Sequence, residues 1–219
     1  MKARPILMAS EMVRATLREI EKPGTGKSQT RRIVKPPAGY RWLDMTAGTM
    51  ANAGGHKKHI SDLTAPYGQP GGLLYVRETW TRGSLNGALA ENGAPEAVYR
   101  ADDNPPHWTA GCKWVPAIHM PRWASRLTLR ITDVRVERLQ DISEADARAE
   151  GVEPLGIGYR DYDLPEQEAS YDSARPSFES LWRAINGPGS SDANPWIWAI
   201  SFEPILRNVD AVRQPLAAA

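Results

Sequence analysis

The sequence predicts an α+β protein: a small mixed β-barrel with peripheral helices, folded as one domain over residues 1–206. Three observations predict it. Strand-like runs are short, numerous and bounded by turn residues. Two amphipathic helical segments, near Ser10–Glu21 and Phe178–Ile185, lie far apart in the chain. The longest strand candidate, within Arg122–Leu139, changes its apolar face midway. Leu127, Leu129 and Ile131 alternate with Arg126, Thr128 and Arg130, after which the apolar parity passes to Val134 and Val136. A strand has period two, so the change requires an extra residue, a bulge near Thr132-Asp133. Bulges bend strands, as a closed sheet demands.

Each element has its local reason. In Ser10–Glu21, Met12 or Val13, Leu17 and Ile20 recur at helical spacing, with Ser10 as N-cap and Pro23-Gly24 as terminator. Gly26–Val34 is a polar turn entering a short strand that Pro36-Pro37 stops. Residues 38–71 show no sustained period and read as an irregular insertion, either lid or mobile loop. Leu73–Glu78 and Ala97–Arg100 are strands by composition, and Asp102–Gly111 is turn-rich. Ser143 caps a short helix, with Asp146 three residues on, and Gly151 ends it. Residues 152–176 form a second irregular insertion. Phe178, Leu181, Trp182 and Ile185 mark the second amphipathic helix, closed by Asn186-Gly187. Trp196, Trp198, Ile200 and Phe202 share a face of the last strand, which makes the tryptophans core. Residues 207–219 read as a flexible tail.

Composition excludes several classes. The chain has 219 residues with 27 Lys plus Arg against 26 Asp plus Glu. Nucleic-acid binding by bulk charge is therefore excluded, although a local basic groove is not. A single cysteine, Cys112, excludes an internal disulfide framework and a CxxC zinc cluster. No apolar run approaches the roughly 20 residues that span a bilayer, and the apolar stretch Pro5–Ala9 is too short for a secretory signal. The expectation is a soluble, reduced, cytoplasmic protein with no membrane partner. His56 and His59 lack a third ligand, and His107, Cys112 and His119 are scattered, so neither metal nor cofactor is expected.

The chemistry concentrates in Lys27-Ser28-Gln29-Thr30-Arg31-Arg32, just after Gly24-Thr25-Gly26. A hydroxyl near an amine is the composition of a Thr or Ser nucleophile with a Lys base. Lys serves as a base only where burial or nearby positive charge lowers its pKa from about 10.4. Arg31 and Arg32 supply such charge. Composition alone leaves a solvated basic turn as the alternative.

Four segments carry a resemblance: Gly26-Lys27-x-x-Thr30-Arg31-Arg32; Leu73-Leu74-Tyr75-Val76-Arg77-Glu78-Thr79-Trp80; Leu139–Gly151 with Asp146, Ala147 and Glu150; and Trp196–Phe202. In order and spacing the chain resembles the ASCH domain, a branch of the PUA-like β-barrels, with the two irregular stretches as insertions. Ile118–Arg126 further resembles the longer ASCH proteins of phage and prophage genomes. The family's usual Gly-Asp before the second segment is Gly71-Gly72 here. The resemblance implies a PUA-like mixed barrel and a metal-independent amidohydrolase that removes the acyl group from N4-acylated cytosines or cytidines. It implies Lys27, Thr30 and Glu150 as the catalytic set: Thr30 attacks, Lys27 takes its proton, and Glu150 holds Lys27 or activates water. Ser28 or Arg31 main-chain N–H groups are the candidate oxyanion donors. Read from position alone, Glu150 is equally an exposed carboxylate at a helix end.

Arg31, Arg32, Arg77, Glu78 and Trp80 are assigned to substrate binding, with an Arg77–Glu78 surface pair as the plainer alternative. Arg122, Arg126 and Arg130 share the outward parity of the long strand, a guanidinium row suited to phosphates, with Trp108, Trp114 and Trp123 near it for stacking. The row is equally a solvated face with carboxylate partners. The expected partner is a small nucleoside or base. The rival readings are an RNA- or modified-nucleic-acid-binding module without turnover, and a single-strand ribonuclease.

Overall fold

Leu129 and Ile131 face inward from the strand at the middle of the main sheet and, with Leu127 just before it, are almost completely buried. The computed structural model describes residues 3–83, 96–102, 113–164 and 170–213. In chain order the elements are β1 (Arg4–Leu7), α1 (Ser10–Glu21), β2 (Gln29–Ile33), β3 (Tyr40–Asp44), β4 (Thr49–Asn52), β5 (Lys57–His59), β6 (Leu73–Arg77), β7 (Trp80–Gly83), β8 (Glu96–Tyr99) and β9 (Thr128–Arg138). They continue with α2 (Glu144–Ala149), β10 (Pro154–Leu155), β11 (Gly158–Arg160), β12 (Ser170–Tyr171), α3 (Ala174–Asn186), β13 (Trp196–Ile205) and α4 (Val209–Arg213).

The main sheet runs β1-β6-β9-β13-β2, with β1 parallel to β6 and the other pairs antiparallel. The fold is therefore α+β, but the expected barrel does not close through main-chain ladders: among the described residues none joins β1 to β2. A side chain spans that gap, where Arg32 Nη2 donates to Leu7 O at 2.8 Å. The bulge falls where the parity change requires it. Ser201 pairs with Asp133 and Phe202 with Ile131, which leaves Thr132 as the extra residue. After it, Val134 and Val136 turn back toward the core.

α1 packs against β13 and α3 against α2. Val13 of α1 and Phe178, Leu181 and Trp182 of α3 are buried in the same apolar cluster as the sheet. The boundaries of α1 agree with the periodicity, but its N-cap is Ala9, with no side-chain cap, rather than Ser10. Ser143 does cap α2, accepting from the Asp146 N–H. Ile185 is 56% exposed rather than core.

Several expectations are corrected. The segment 38–71 is not irregular: β3, β4 and β5 form an antiparallel meander that buries Met50, and Ile60 beyond it is also buried. Its strands are three to five residues long, and Lys57–His59 is exposed throughout, so no alternation marks them. The segment 152–176 contains the small sheet β10-β11-β12 and the start of α3. β7 pairs with β8, and no apolar alternation in Trp80–Gly83 marks it as a strand. The long strand begins at Thr128, because Arg122–Ala124 is a 3₁₀ turn. The tail is not frayed up to residue 213: Val209 is fully buried, and Asn208 Nδ2 donates to the carbonyls of Arg122, Trp123 and Ser125.

Two glycines fix the approach of α1, β2 and α2. A Cβ on Gly26 would lie 2.3 Å from both Ala15 O and Glu19 N. Gly151 has φ +82°, and a Cβ there would lie 2.6 Å from the Lys27 Cβ. The obstruction at Gly26 is main chain, which no rotamer change relieves. Gly26→Ala is therefore expected to lower stability by at least about 2 kcal/mol, read as a lower urea midpoint. Gly24→Ala, at φ +83° with nothing within 4 Å, is expected to cost only about 1 kcal/mol.

Candidate active site

Lys27 sits in the connection from α1 to β2, sewn to three elements. Its N–H donates to Ala15 O at 2.8 Å, the Ser28 N–H donates to Ala149 O at 2.9 Å, and Ser28 O accepts from the Phe202 N–H at 2.8 Å. A lone antiparallel bridge pairs Lys27 with Glu150. Both side chains are enclosed: Lys27 is 1% exposed and Glu150 4%. Lys27 Nζ donates to Glu150 Oε2 at 2.5 Å and to Glu150 O at 2.9 Å.

Arg31 closes the other side of the carboxylate. Its Nη1 donates to Glu150 Oε1 at 3.1 Å and to Gln29 Oε1 at 2.6 Å, and its Nη2 donates to Glu137 Oε1 at 2.7 Å. Its guanidinium lies over the Phe178 ring, 5.6 Å from the centroid. Behind it, Asp146 accepts from Gln29, Ser143 and Arg135. Burial alone would raise the Asp146 pKa, but those hydrogen bonds and the Arg135 charge outweigh it and hold the carboxyl below its ordinary range. Thr30 is also buried, and its Oγ1 accepts from Arg32 Nη1 at 2.7 Å.

Lys27, Thr30, Arg31, Arg32 and Glu150 all line one cavity of about 210 Å³, whose apolar wall includes Phe178, Leu181 and Trp182. Burial pushes the Lys27 amine below its ordinary pKa. Glu150 pulls upward and the Arg32 and Arg31 charges downward, and burial prevails. Burial likewise lowers Arg32, against the pull of Glu150. Arg31 Nε and Trp182 Nε1 are buried donors with no hydrogen-bond acceptor among the described residues. Such groups call for an explanation, and both belong to residues of this cavity.

The arrangement departs from the expectation at one contact. No hydrogen bond joins Lys27 Nζ to Thr30 Oγ1: the amine is turned to Glu150 and the hydroxyl to Arg32. The Ser28 N–H is also spent on Ala149 O, which removes it as an oxyanion donor.

The remaining substrate-binding assignments fall elsewhere. Arg77, Glu78 and Trp80 do not line this cavity. Glu78 is a buried partner of Arg126, whose Nε and Nη2 each donate to it at 3.0 Å. Burial raises the Glu78 pKa in spite of that guanidinium. Arg77 donates to the carbonyls of Met120 and Ile118, and Trp80 packs edge-on against Trp123 at 5.6 Å. Nor do Arg122, Arg126 and Arg130 form a strand row, since only Arg130 lies in β9. Each meets a carboxylate: Arg122 with Asp210 at 2.7 Å, Arg126 with Glu78 and Asp102, and Arg130 with Glu203 at 2.9 Å. Trp108, His107 and Cys112 lie outside the described residues. His59 Nδ1 contacts Ser61 Oγ and its Nε2 contacts Ala47 O. Among the described residues no group of three or more His, Cys, Asp or Glu is placed to hold a metal, and no helix is long and apolar enough to cross a membrane.

Gln29, Glu137 and Trp182 belong to the site without having been singled out for it. Gln29 was visible beside Thr30 in the sequence, but Glu137 depends on the bulge for its facing and Trp182 reads as core. No family model, curated protein or solved structure matches the chain.

Removing one partner of a buried pair strands the other charges. Glu150→Gln is expected to cost about 3–5 kcal/mol in urea unfolding, because Lys27 and Arg31 lose their shared carboxylate. The double variant Lys27→Met/Glu150→Leu is expected to be more stable than either single variant.

Proposed function

We propose that the protein is an amidohydrolase of the ASCH type, with a PUA-like fold, that removes the acyl group from N4-acylated cytosines or cytidines. One observation carries this reading. Lys27 and Glu150 are 123 positions apart in the chain, yet they converge with Thr30 on one small cavity. An amine, an alcohol and a carboxylate, each on a buried residue, are the groups that acyl transfer requires. The curved sheet, with Arg32 spanning β2 and β1, supports the barrel-like fold.

The lowered pKa of Lys27 favours its neutral form, the form able to accept a proton. Substrate entry turns the amine from Glu150 toward Thr30, a side-chain rotation within the cavity. Lys27 takes the Thr30 Oγ1 proton as the oxygen attacks the acyl carbonyl carbon. The carbonyl π pair moves onto oxygen and then returns, breaking the bond between carbon and N4. The leaving nitrogen takes the proton from Lys27, cytosine departs, and an ester remains on Thr30. Water then attacks the ester carbonyl, giving its proton to Lys27 or Glu150, and as the bond between carbon and Thr30 Oγ1 breaks that oxygen takes the proton back, so that the hydroxyl and the base are regenerated and a free carboxylic acid leaves. Arg32 Nη1, already 2.7 Å from Thr30 Oγ1, stabilises negative charge developing on that oxygen. The unspent donors at Arg31 Nε and Trp182 Nε1 offer further hydrogen bonds to a substrate oxygen after a small local shift. The phosphate-row reading of Arg122, Arg126 and Arg130 has less support, because each is already partnered by a carboxylate.

Incubation with N4-acetylcytidine, followed by absorbance, tests the reading. Thr30→Ala is expected to abolish turnover and Thr30→Ser to retain part of it. Lys27→Met is expected to lower kcat by about 10²–10⁴-fold. Full activity in Thr30→Ala would remove the nucleophile assignment.

The pH dependence has a defined sign. A lysine whose pKa is lowered by folding is neutral in a larger fraction of molecules at any given pH. The rate of a reaction that uses it as a base therefore rises with pH, along a limb whose midpoint lies below 10.5. A flat profile across that limb would exclude Lys27 as the base.

A further inference from the structure

We infer that the substrate carries a phosphate, as a 5′-phosphorylated N4-acylcytidine, and that a groove beside the catalytic cavity holds it. The inference rests on the deacylase reading of that cavity. At about 210 Å³ the cavity is smaller than the roughly 300–1,000 Å³ typical of small-molecule sites. It accommodates an acylated base more readily than a whole nucleoside. A second hollow of about 700 Å³ adjoins it. Ala9, Met12, Leu181 and Ile185 line both hollows. Gly151, the residue after Glu150, lines the larger one. A ligand with its base beside Glu150 thus has its remaining atoms directed along the space between α1 and α3.

The groove's charges select the ligand. Arg14, Arg18 and Arg160 line it together with Glu11 and Glu153. Glu153 is paired with Arg160 at 2.8 Å, and Glu11 approaches Arg14 at 3.6 Å. Arg18 is different. Its Nε donates to Thr25 O at 2.8 Å, and its Nη2 to Gly151 O at 3.1 Å and Val152 O at 3.4 Å. These are neutral carbonyls. They orient the guanidinium without cancelling its charge, and its Nη1 has no acceptor among the described residues. A half-buried, oriented and uncompensated guanidinium is a receptor for an anion with several acceptor oxygens. The apolar floor of Leu181, Ala184 and the exposed Ile185 suits the ribose between base and phosphate.

The test compares kcat/KM for N4-acetylcytidine and for its 5′-monophosphate, with calorimetric binding of cytidine and cytidine 5′-monophosphate as an activity-free measurement. The monophosphate is expected to be preferred at least 10-fold, mainly through KM, and Arg18→Gln to bring the ratio toward one. Arg14→Gln, at a partly exposed position, is expected to reduce the ratio as well, and it keeps the test open if Arg18→Gln does not fold. Equal kcat/KM for the two substrates in the unmodified protein overturns the inference. So does an Arg18→Gln protein in which both substrates slow equally, because that marks a structural role only. If neither acetyl compound is turned over but cytidine 5′-monophosphate binds more tightly than cytidine in an Arg18-dependent way, the deacylase reading fails and the phosphate groove stands.

Discussion

A lysine and a glutamate that are almost completely withdrawn from water must neutralise each other, and that requirement organises this molecule. Taking either ion out of water alone costs several kcal/mol. Lys27 and Glu150 meet this cost together, at 2.5 Å, with Arg31 on the second carboxylate oxygen. Two cations on one carboxylate leave an excess of positive charge. Glu137 and Asp146, on the far side of Arg31, absorb it. The chain of charges thus runs outward from the cavity to the partly exposed Arg135. Each group is positioned by the one beyond it.

Backbone geometry makes this closeness attainable. Lys27 follows a glycine and Glu150 precedes one. Gly26 lets the chain pass against the main chain of α1, and Gly151, in the left-handed region, turns the chain away from α2 while leaving room for the Lys27 Cβ. The single bridge between Lys27 and Glu150 then brings both side chains into the same space. The cavity is a consequence of two close approaches rather than of any one element.

This is also why part of the molecule could be read from its sequence and part could not. The helices at Ser10–Glu21 and around Phe178–Trp182, the strand through Leu129 and Ile131, and the bulge at Thr132 each leave a periodic trace. A face that buries regularly must be apolar regularly. The meander of residues 40–59 leaves none, because its strands are short and Met50 is their one buried residue. The row Arg122–Arg126–Arg130 shows the reverse error. Even spacing implies a common face only within one strand, and here a 3₁₀ turn and a loop precede the strand. At the site, Lys27, Thr30, Arg31 and Arg32 could be nominated by residue type and spacing, and Glu150 only through the resemblance to the ASCH pattern. Glu137, Trp182 and the displacement of Arg77, Glu78 and Trp80 to another cluster could not, since those depend on how separate elements pack.

The arrangement also bears on how a buried ion pair can serve catalysis. A lysine tied permanently to a carboxylate is a structural cation, whereas a base must spend part of its time as a free amine. Three features pull Lys27 toward the second state: its burial and the charges of Arg31 and Arg32. Glu150 alone opposes them, and Glu150 has a second cation, Arg31, to bond when the lysine leaves. In the proposed reaction, a turn of Lys27 to the hydroxyl would give up its bonds to Glu150 Oε2 and Glu150 O, yet the carboxylate would keep Arg31 and would not be left as a buried charge without a partner. For the proposed base, Arg31 is thus the residue that would let the lysine leave the glutamate, and its bond to Glu137 holds that support in place.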